Sequence, residues 1–124
     1  MGNEAENELG RVGEQLAAEH LLRLGYEIVE RNYRTRWGEL DIVARAGSTL
    51  AFCEVKTRRA GGHAGGPFDA VGRNKQVRVR KMAGSWLVER RDRPYAEVIR
   101  FDAIGVVLDG SGRLVSLQHL EGAF

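Results

Sequence analysis

The sequence predicts an α/β fold in one domain over residues 1–124, with the element order α-β-β-β-α-β-β. Three observations carry that expectation. Apolar residues recur at helical spacing in two stretches, near residues 7–24 and 74–89. Short β-rich runs bounded by turn residues fill the intervals between and after them. A single Cys excludes a disulfide within the chain, so the core forms by packing, which a chain of this length can support.

In the first stretch Leu9, Gly13, Leu16, Ala17, His20, Leu21 and Leu24 share one helical face, and Gly25 stops the helix. Gly10, Gly13 and Ala17 permit close approach to a neighbouring element, and Glu14 stands beside this small-residue strip rather than on the far polar face. His20 reads as a packed or half-exposed helix residue. Residues 26–34 form the first strand around Ile28 and Val29, with a turn at Arg36-Trp37-Gly38. Two further strands, residues 37–44 and 50–56, flank Arg45-Ala46-Gly47-Ser48-Thr49. Residues 57–72 are Gly-rich and without apolar period; they read as a mobile loop, either ordering over a substrate or simply connecting. They lack the Gly-Lys-Ser/Thr ending of a P-loop. The second helix carries an apolar stripe of Val79, Met82, Ala83, Trp86 and Leu87, in which Met82 and Trp86 read as core. Pro94 closes the helical region; strands at 97–108 and 113–120 follow, joined by Asp109-Gly110-Ser111-Gly112.

The middle hairpin carries the chemistry. A two-residue Gly47-Ser48 turn pairs Ala46 with Thr49, and in that register Asp41 faces Glu54 and Glu39 faces Lys56. Strand alternation then leaves Glu39, Asp41, Glu54 and Lys56 on one face. Carboxylates directly across a ladder repel each other, so positive charge belongs between them. An oxygen-rich, net negative cluster suits a hard divalent ion such as Mg²⁺ or Mn²⁺. The same four side chains also fit the wet face of a half-exposed hairpin as weak cross-strand ion pairs. Cys53, on the opposite face from Glu54, reads as a small buried hydrophobe.

The formal charge of +2 hides a segregation along the chain. Residues 1–56 carry 7 Lys/Arg against 10 Asp/Glu, residues 57–93 carry 10 against 3, and residues 94–124 carry 2 against 4. The basic third directly follows the carboxylates. It would present an anionic polymer to them, and Arg58, Arg59, Arg73, Lys75, Gln76, Arg78 and Lys81 are the candidate nucleic-acid contacts. The acidic N-terminus has no apolar leader segment and no stretch reaches membrane-span length, so a cytoplasmic protein without membrane contact is expected.

The Asp-hairpin-Glu-x-Lys arrangement of Asp41, Glu54 and Lys56 resembles the PD-(D/E)xK nuclease superfamily, although Leu40 rather than Pro precedes Asp41. A closer resemblance covers nearly the whole chain. It runs through Gly13-Glu14, Ala17-Ala18, Leu24-Gly25-Tyr26, Arg31-Asn32-Tyr33-Arg34, Gly38-Glu39-Leu40-Asp41, Glu54-Val55-Lys56-Thr57-Arg58, Lys75-Gln76 and Arg100-Phe101-Asp102. These are similar to the YraN-like family of small bacterial predicted endonucleases, distant relatives of the archaeal Holliday-junction resolvases.

The resemblance implies a restriction-endonuclease-like, mixed five-stranded sheet flanked by helices, and metal-dependent hydrolysis of DNA, including branched or junction DNA, in repair or recombination. Asp41 and Glu54 would hold the metal, with the Val55 main-chain carbonyl and Glu14 completing the shell. Lys56 would orient or deprotonate the attacking water. Glu39 would be a partner of Lys56 or a second-metal ligand, and Gln76 would stand near the water. Asp102 is either an accessory residue of the site or a structural hydrogen-bonding group. A symmetric homodimer would suit a two-fold junction. The competing reading is a non-catalytic nucleic-acid-binding protein that retains the nuclease fold, and a third is an interaction protein with neither metal nor DNA affinity.

Overall fold

A computed structural model of the chain describes residues 3–61 and 72–124, with side chains from residue 7 onward. The elements are α1 (Asn3–Arg23), β1 (Glu27–Thr35), β2 (Gly38–Ala46), β3 (Thr49–Arg59), α2 (Arg73–Glu89), β4 (Val98–Leu108) and β5 (Leu114–Leu120). The five strands form one sheet in sequence order, so the expected element order and mixed α/β architecture stand. All neighbours are antiparallel except β3 and β4, which run parallel. A parallel pair needs a crossover, and the segment containing α2 supplies it.

Each face of the sheet has its own core. On one side Ala17 and Leu21 of α1 pack with Ile42, Ala44, Ala51, Cys53, Ile104 and Val106. On the other, Val79, Met82, Ala83 and Trp86 of α2 pack with Leu40, Val43, Leu50 and Phe52. Phe52 meets Trp86 edge to face, with ring centroids 5.7 Å apart. Burying each such large side chain contributes about 1.5–3 kcal/mol. Cys53 is the buried hydrophobe expected of it, and burial pushes its thiol pKa up.

Local sequence explains the joints. Gly25 (φ 94°) ends α1 in a Schellman motif: the Tyr26 N–H donates to Leu21 C=O at 2.9 Å and the Gly25 N–H to Leu22 C=O at 3.0 Å. Gly47 (φ 58°) occupies the first position of the two-residue β2–β3 turn, and Ala46 pairs with Thr49 as the turn demands. Gly13 lets α1 lie against β3, since a Cβ there would overlap the Thr57 side chain.

Two expectations change. Thr57, Arg58 and Arg59 belong to β3 and not to a loop, because β3 pairs with β4 all the way to Arg59 opposite Leu108. The Gly-rich segment proper, residues 62–71, lies outside the described residues. Among the described residues no helix is long and apolar enough to cross a membrane.

Candidate metal centre

The β2–β3 ladder runs from Ala46 opposite Thr49 to Ile42 opposite Cys53 and then ends, before the expected Asp41/Glu54 and Glu39/Lys56 pairs. In this register the Val55 N–H would next be taken by Leu40 C=O. Asp41 takes it instead: its Oδ2 accepts the Val55 N–H at 2.8 Å. The side-chain alternation slips at the same point. Leu40 packs with Val43 on the α2 side, where strict alternation would place it beside Ile42 in the α1 core. Strict alternation therefore does not govern the placement of the four charged residues. Glu39 instead joins Asp41 and the α1 residue Glu14, and oxygens of the three carboxylates lie within 4.8 Å of one another.

Asn32 ties this cluster together. Its Nδ2 donates to Glu14 Oε1 at 2.9 Å and to Glu39 Oε1 at 3.0 Å. The β1–β2 ladder pairs Arg31 with Ile42 and Tyr33 with Leu40, passing over Asn32 and Asp41. Asn32 has φ 56°, a left-handed conformation that Asn tolerates better than most residues. The motif Arg31-Asn32-Tyr33-Arg34 is visible in the sequence, but its spacing gives Asn32 no role, because a non-Gly left-handed residue inside a strand has no periodic signature.

Glu54 adjoins the cluster through Asp41, and the ammonium it contacts is that of Lys75 in α2, at 2.8 Å, rather than its strand neighbour Lys56. Asp41 and Glu54 are each only 8 % exposed. Burial, followed by the charge of Glu54, pushes the Asp41 pKa up to about 8 against the pull of the Val55 N–H. Burial likewise raises Glu54 above the ordinary carboxylate range, with Lys75 opposing. The buried Glu54 Oε2 has no hydrogen-bond partner among the described residues. Arg34 Nε stands 3.4 Å from Glu39 Oε2 at the exposed rim. Asp41 thus keeps a proton at neutral pH, and a divalent cation would displace it.

Comparison with known proteins places the chain. The profile of the uncharacterised protein family UPF0102 matches residues 13–106. The chain belongs to this family. A UPF0102 protein of Parafrankia sp. (strain EAN1pec) is 49% identical over 116 residues, covering 94% of this chain and 95% of the relative. One of Frankia casuarinae is 45% identical over 121 residues, 97% of this chain and 98% of its own length. A third, from Frankia alni, is 44% identical over 124 residues and covers both chains completely. The span matching UPF0102 holds the whole cluster, from Glu14 through Asn32, Glu39, Asp41 and Glu54 to Lys75.

The other expected site residues distribute unevenly. Lys56 is exposed, next but one to Glu54 on β3, and Val55 is half-buried. Asp102 is not part of the cluster. It is fully buried at the β4 position beside Cys53, held by Arg100 through two contacts of 2.8 Å, by His119 Nε2 at 2.8 Å and by the Gly122 N–H at 3.1 Å. Burial alone would raise its pKa; these partners bring it down to about 2. Cys53 faces away from Glu54, and Asp102 shares the Cys53 side, so strand alternation separates Asp102 from Glu54. Of the expected nucleic-acid contacts, Arg59, Arg73, Arg78 and Lys81 are exposed. Arg58 and Gln76 are half-buried, and Lys75 is turned towards Glu54.

Proposed function

We propose that the protein is a Mg²⁺- or Mn²⁺-dependent nuclease of the YraN-like, PD-(D/E)xK kind, acting on DNA. The observation that carries this reading is the convergence of Glu14, Glu39 and Asp41 within 4.8 Å. Glu54 stands beside them with a buried oxygen that lacks a partner among the described residues. An all-oxygen, net negative donor set fits a hard divalent cation and is ill suited to gripping a phosphate backbone by itself. Glu14, Glu39, Asp41 and Glu54 would hold the ion. When bound, it supplies charge for the developing phosphoryl oxygens and acidifies a water.

The chain's own residues do the rest. Asn32 holds Glu14 and Glu39 together, and the Val55 N–H fixes Asp41, so the carboxylates are oriented before any ligand arrives. Lys56, exposed beside Glu54, orients the attacking water or takes its proton. The exposed basic residues of α2 hold the backbone of the strand. A cytoplasmic role in repair or recombination, on junction or branched DNA and as a homodimer, completes the proposal.

The test is a cleavage panel of linear, flapped, four-way and single-stranded DNA with Mg²⁺ and with Mn²⁺, beside Glu54→Ala and Lys56→Ala. Metal-dependent cleavage that falls by roughly a hundred-fold in Lys56→Ala, with affinity kept within a few-fold, supports the assignment. Absence of cleavage on every substrate leaves the binding-protein reading in its place.

A further inference from the structure

A cavity of about 130 Å³ opens beside the carboxylates, lined by Trp37, Gly38 and Glu39 at the β1–β2 turn and by Lys75, Arg78 and Met82 of α2. Two hydrogen bonds close the turn. The Thr35 hydroxyl accepts the Trp37 N–H and donates to Gly38 C=O, each at 3.0 Å. Gly38 has φ 133°, which disfavours any side chain, and a Cβ there would already touch Met82 Sδ at 3.7 Å.

The two tryptophans of the chain are used differently. Trp86 is 1 % exposed, and its ring N–H donates to Glu30 at 2.7 Å, as a core indole requires. Trp37 is half-buried on a pinned turn, with the Arg36 guanidinium 4.7 Å from its ring centroid. Around the cavity an indole and a thioether make an apolar lining, Lys75 and Arg78 add positive charge, and Glu39 belongs to the candidate metal centre. A flat apolar group bearing an adjacent phosphate matches this combination. Aromatic side chains stack on nucleobases without regard to sequence, and cations follow the backbone.

We propose that this cavity binds an unpaired nucleobase of the strand whose phosphate meets the carboxylates; the phosphate half of this statement rests on the nuclease reading above. A base within a duplex is stacked on both faces and cannot enter a cavity without being extruded. The ligand class is therefore a single strand, or the unpaired nucleotides at a branch or flap.

The proposal is tested with the full chain in EDTA, by fluorescence anisotropy of labelled single-stranded, flapped and blunt duplex DNA. Trp37→Ala should weaken single-stranded and flap binding by about ten-fold or more while changing duplex binding less than about two-fold, and Trp37→Phe should keep most of the affinity. Wild-type tryptophan emission should be quenched by single-stranded DNA along the same titration curve, a readout independent of whether the Ala variant folds. Equal losses on single-stranded and duplex DNA, no loss on either, or absence of quenching would overturn the pocket. Cleavage of the same substrates with Mn²⁺ separates the two readings. Intact cleavage without Trp37 dependence removes the pocket alone, whereas a Trp37-dependent single-strand preference without cleavage removes the hydrolysis alone.

Discussion

Asp41 carries two duties in one side chain: it replaces a strand carbonyl for the Val55 N–H and offers an oxygen to the Glu14–Glu39 cluster. Its pKa of about 8 in the folded chain stands well above the ordinary carboxylate range near 4, and burial is the first cause. The folded protein thus keeps a proton that the unfolded chain releases. The associated stability is full below the unfolded value and is lost as pH rises towards 8, with Glu54 shifted in the same direction. The metal-free protein should melt at a lower temperature at pH 8 than at pH 5.5, and Asp41→Asn should flatten that slope. Asp102, held at about 2, acts in the opposite sense and only below the ordinary carboxylate range, outside this window. At one fixed concentration Mn²⁺ should stabilise more at pH 8 than at pH 5.5, because fewer protons compete at the higher pH; at a hundred times its Kd the ion contributes about 2.7 kcal/mol in all. An unaltered pH slope in Asp41→Asn would refute the assignment of that proton. Asn32→Gly keeps the left-handed backbone accessible and removes only the amide that bridges Glu14 and Glu39. Calorimetric Mn²⁺ affinity should fall by about ten-fold or more in that variant, the scale of a lost ligand-orienting contact.

The elements meet at a close crossing that offers its own test. A Cβ at position 13 would overlap Thr57, so Gly13→Ala forces α1 away from β3, and Glu14 moves with it. Overpacking of this kind costs about 1–3 kcal/mol, and Thr57→Gly in the same chain should restore part of the melting temperature and of the Mn²⁺ affinity together. Independent, additive effects of the two substitutions would show that the crossing does not set the position of Glu14. The helix was legible because its apolar residues fall at helical spacing, and the hairpin register was legible because Gly47-Ser48 permits only one pairing of its flanks. What the sequence could not show is where that register stops. A period of two assumes an unbroken ladder, and the break at Asp41, with the left-handed Asn32 on the neighbouring strand, depends on how β1, β2 and β3 pair with one another. For that reason the sequence leaves Glu39 between Lys56 and a place among the metal-binding carboxylates, whereas in the fold it lies with Glu14 and Asp41, and the direct partner of Glu54 is Lys75. The span of β3 was underestimated for a similar reason: Thr57 to Arg59 hold no apolar alternation, yet β4 pairs with them residue by residue. Asp102 matched a motif by position, but its role follows from Arg100 and His119, whose approach is tertiary.

Across the whole molecule, charge is laid out so that the acidic centre and the basic helix are neighbours, with residues 57–93 carrying 10 Lys/Arg against 3 Asp/Glu. Lys75 marks the junction between them, since it lines the cavity beside Trp37 and pairs with Glu54 at 2.8 Å. The basic residues therefore divide by function. Arg73, Arg78 and Lys81 are exposed on α2 and free to meet phosphate, whereas Lys75 already neutralises part of the carboxylate cluster. Each phosphate neutralised on duplex DNA contributes about 0.9 to the slope of log affinity against log salt. Replacing Arg73, Arg78 and Lys81 together by Gln should lower that slope by about 2–3 and leave Mn²⁺ binding unchanged. Lys75→Gln should do the reverse: remove at most about one from the slope, while withdrawing the cation that opposes the upward shift of the Glu54 pKa. Without that counter-charge the buried carboxylates hold their protons more strongly, but a bound dication gains a site with one fewer competing positive charge. The two effects part with pH. Mn²⁺ affinity of Lys75→Gln should rise relative to wild type, by less at low pH, where the more firmly held protons compete, than at high pH. A parallel displacement of the two affinity curves at every pH would mean that Lys75 acts on the metal centre only through packing. An unchanged salt slope in the triple variant would mean that nucleic acid is held on another surface.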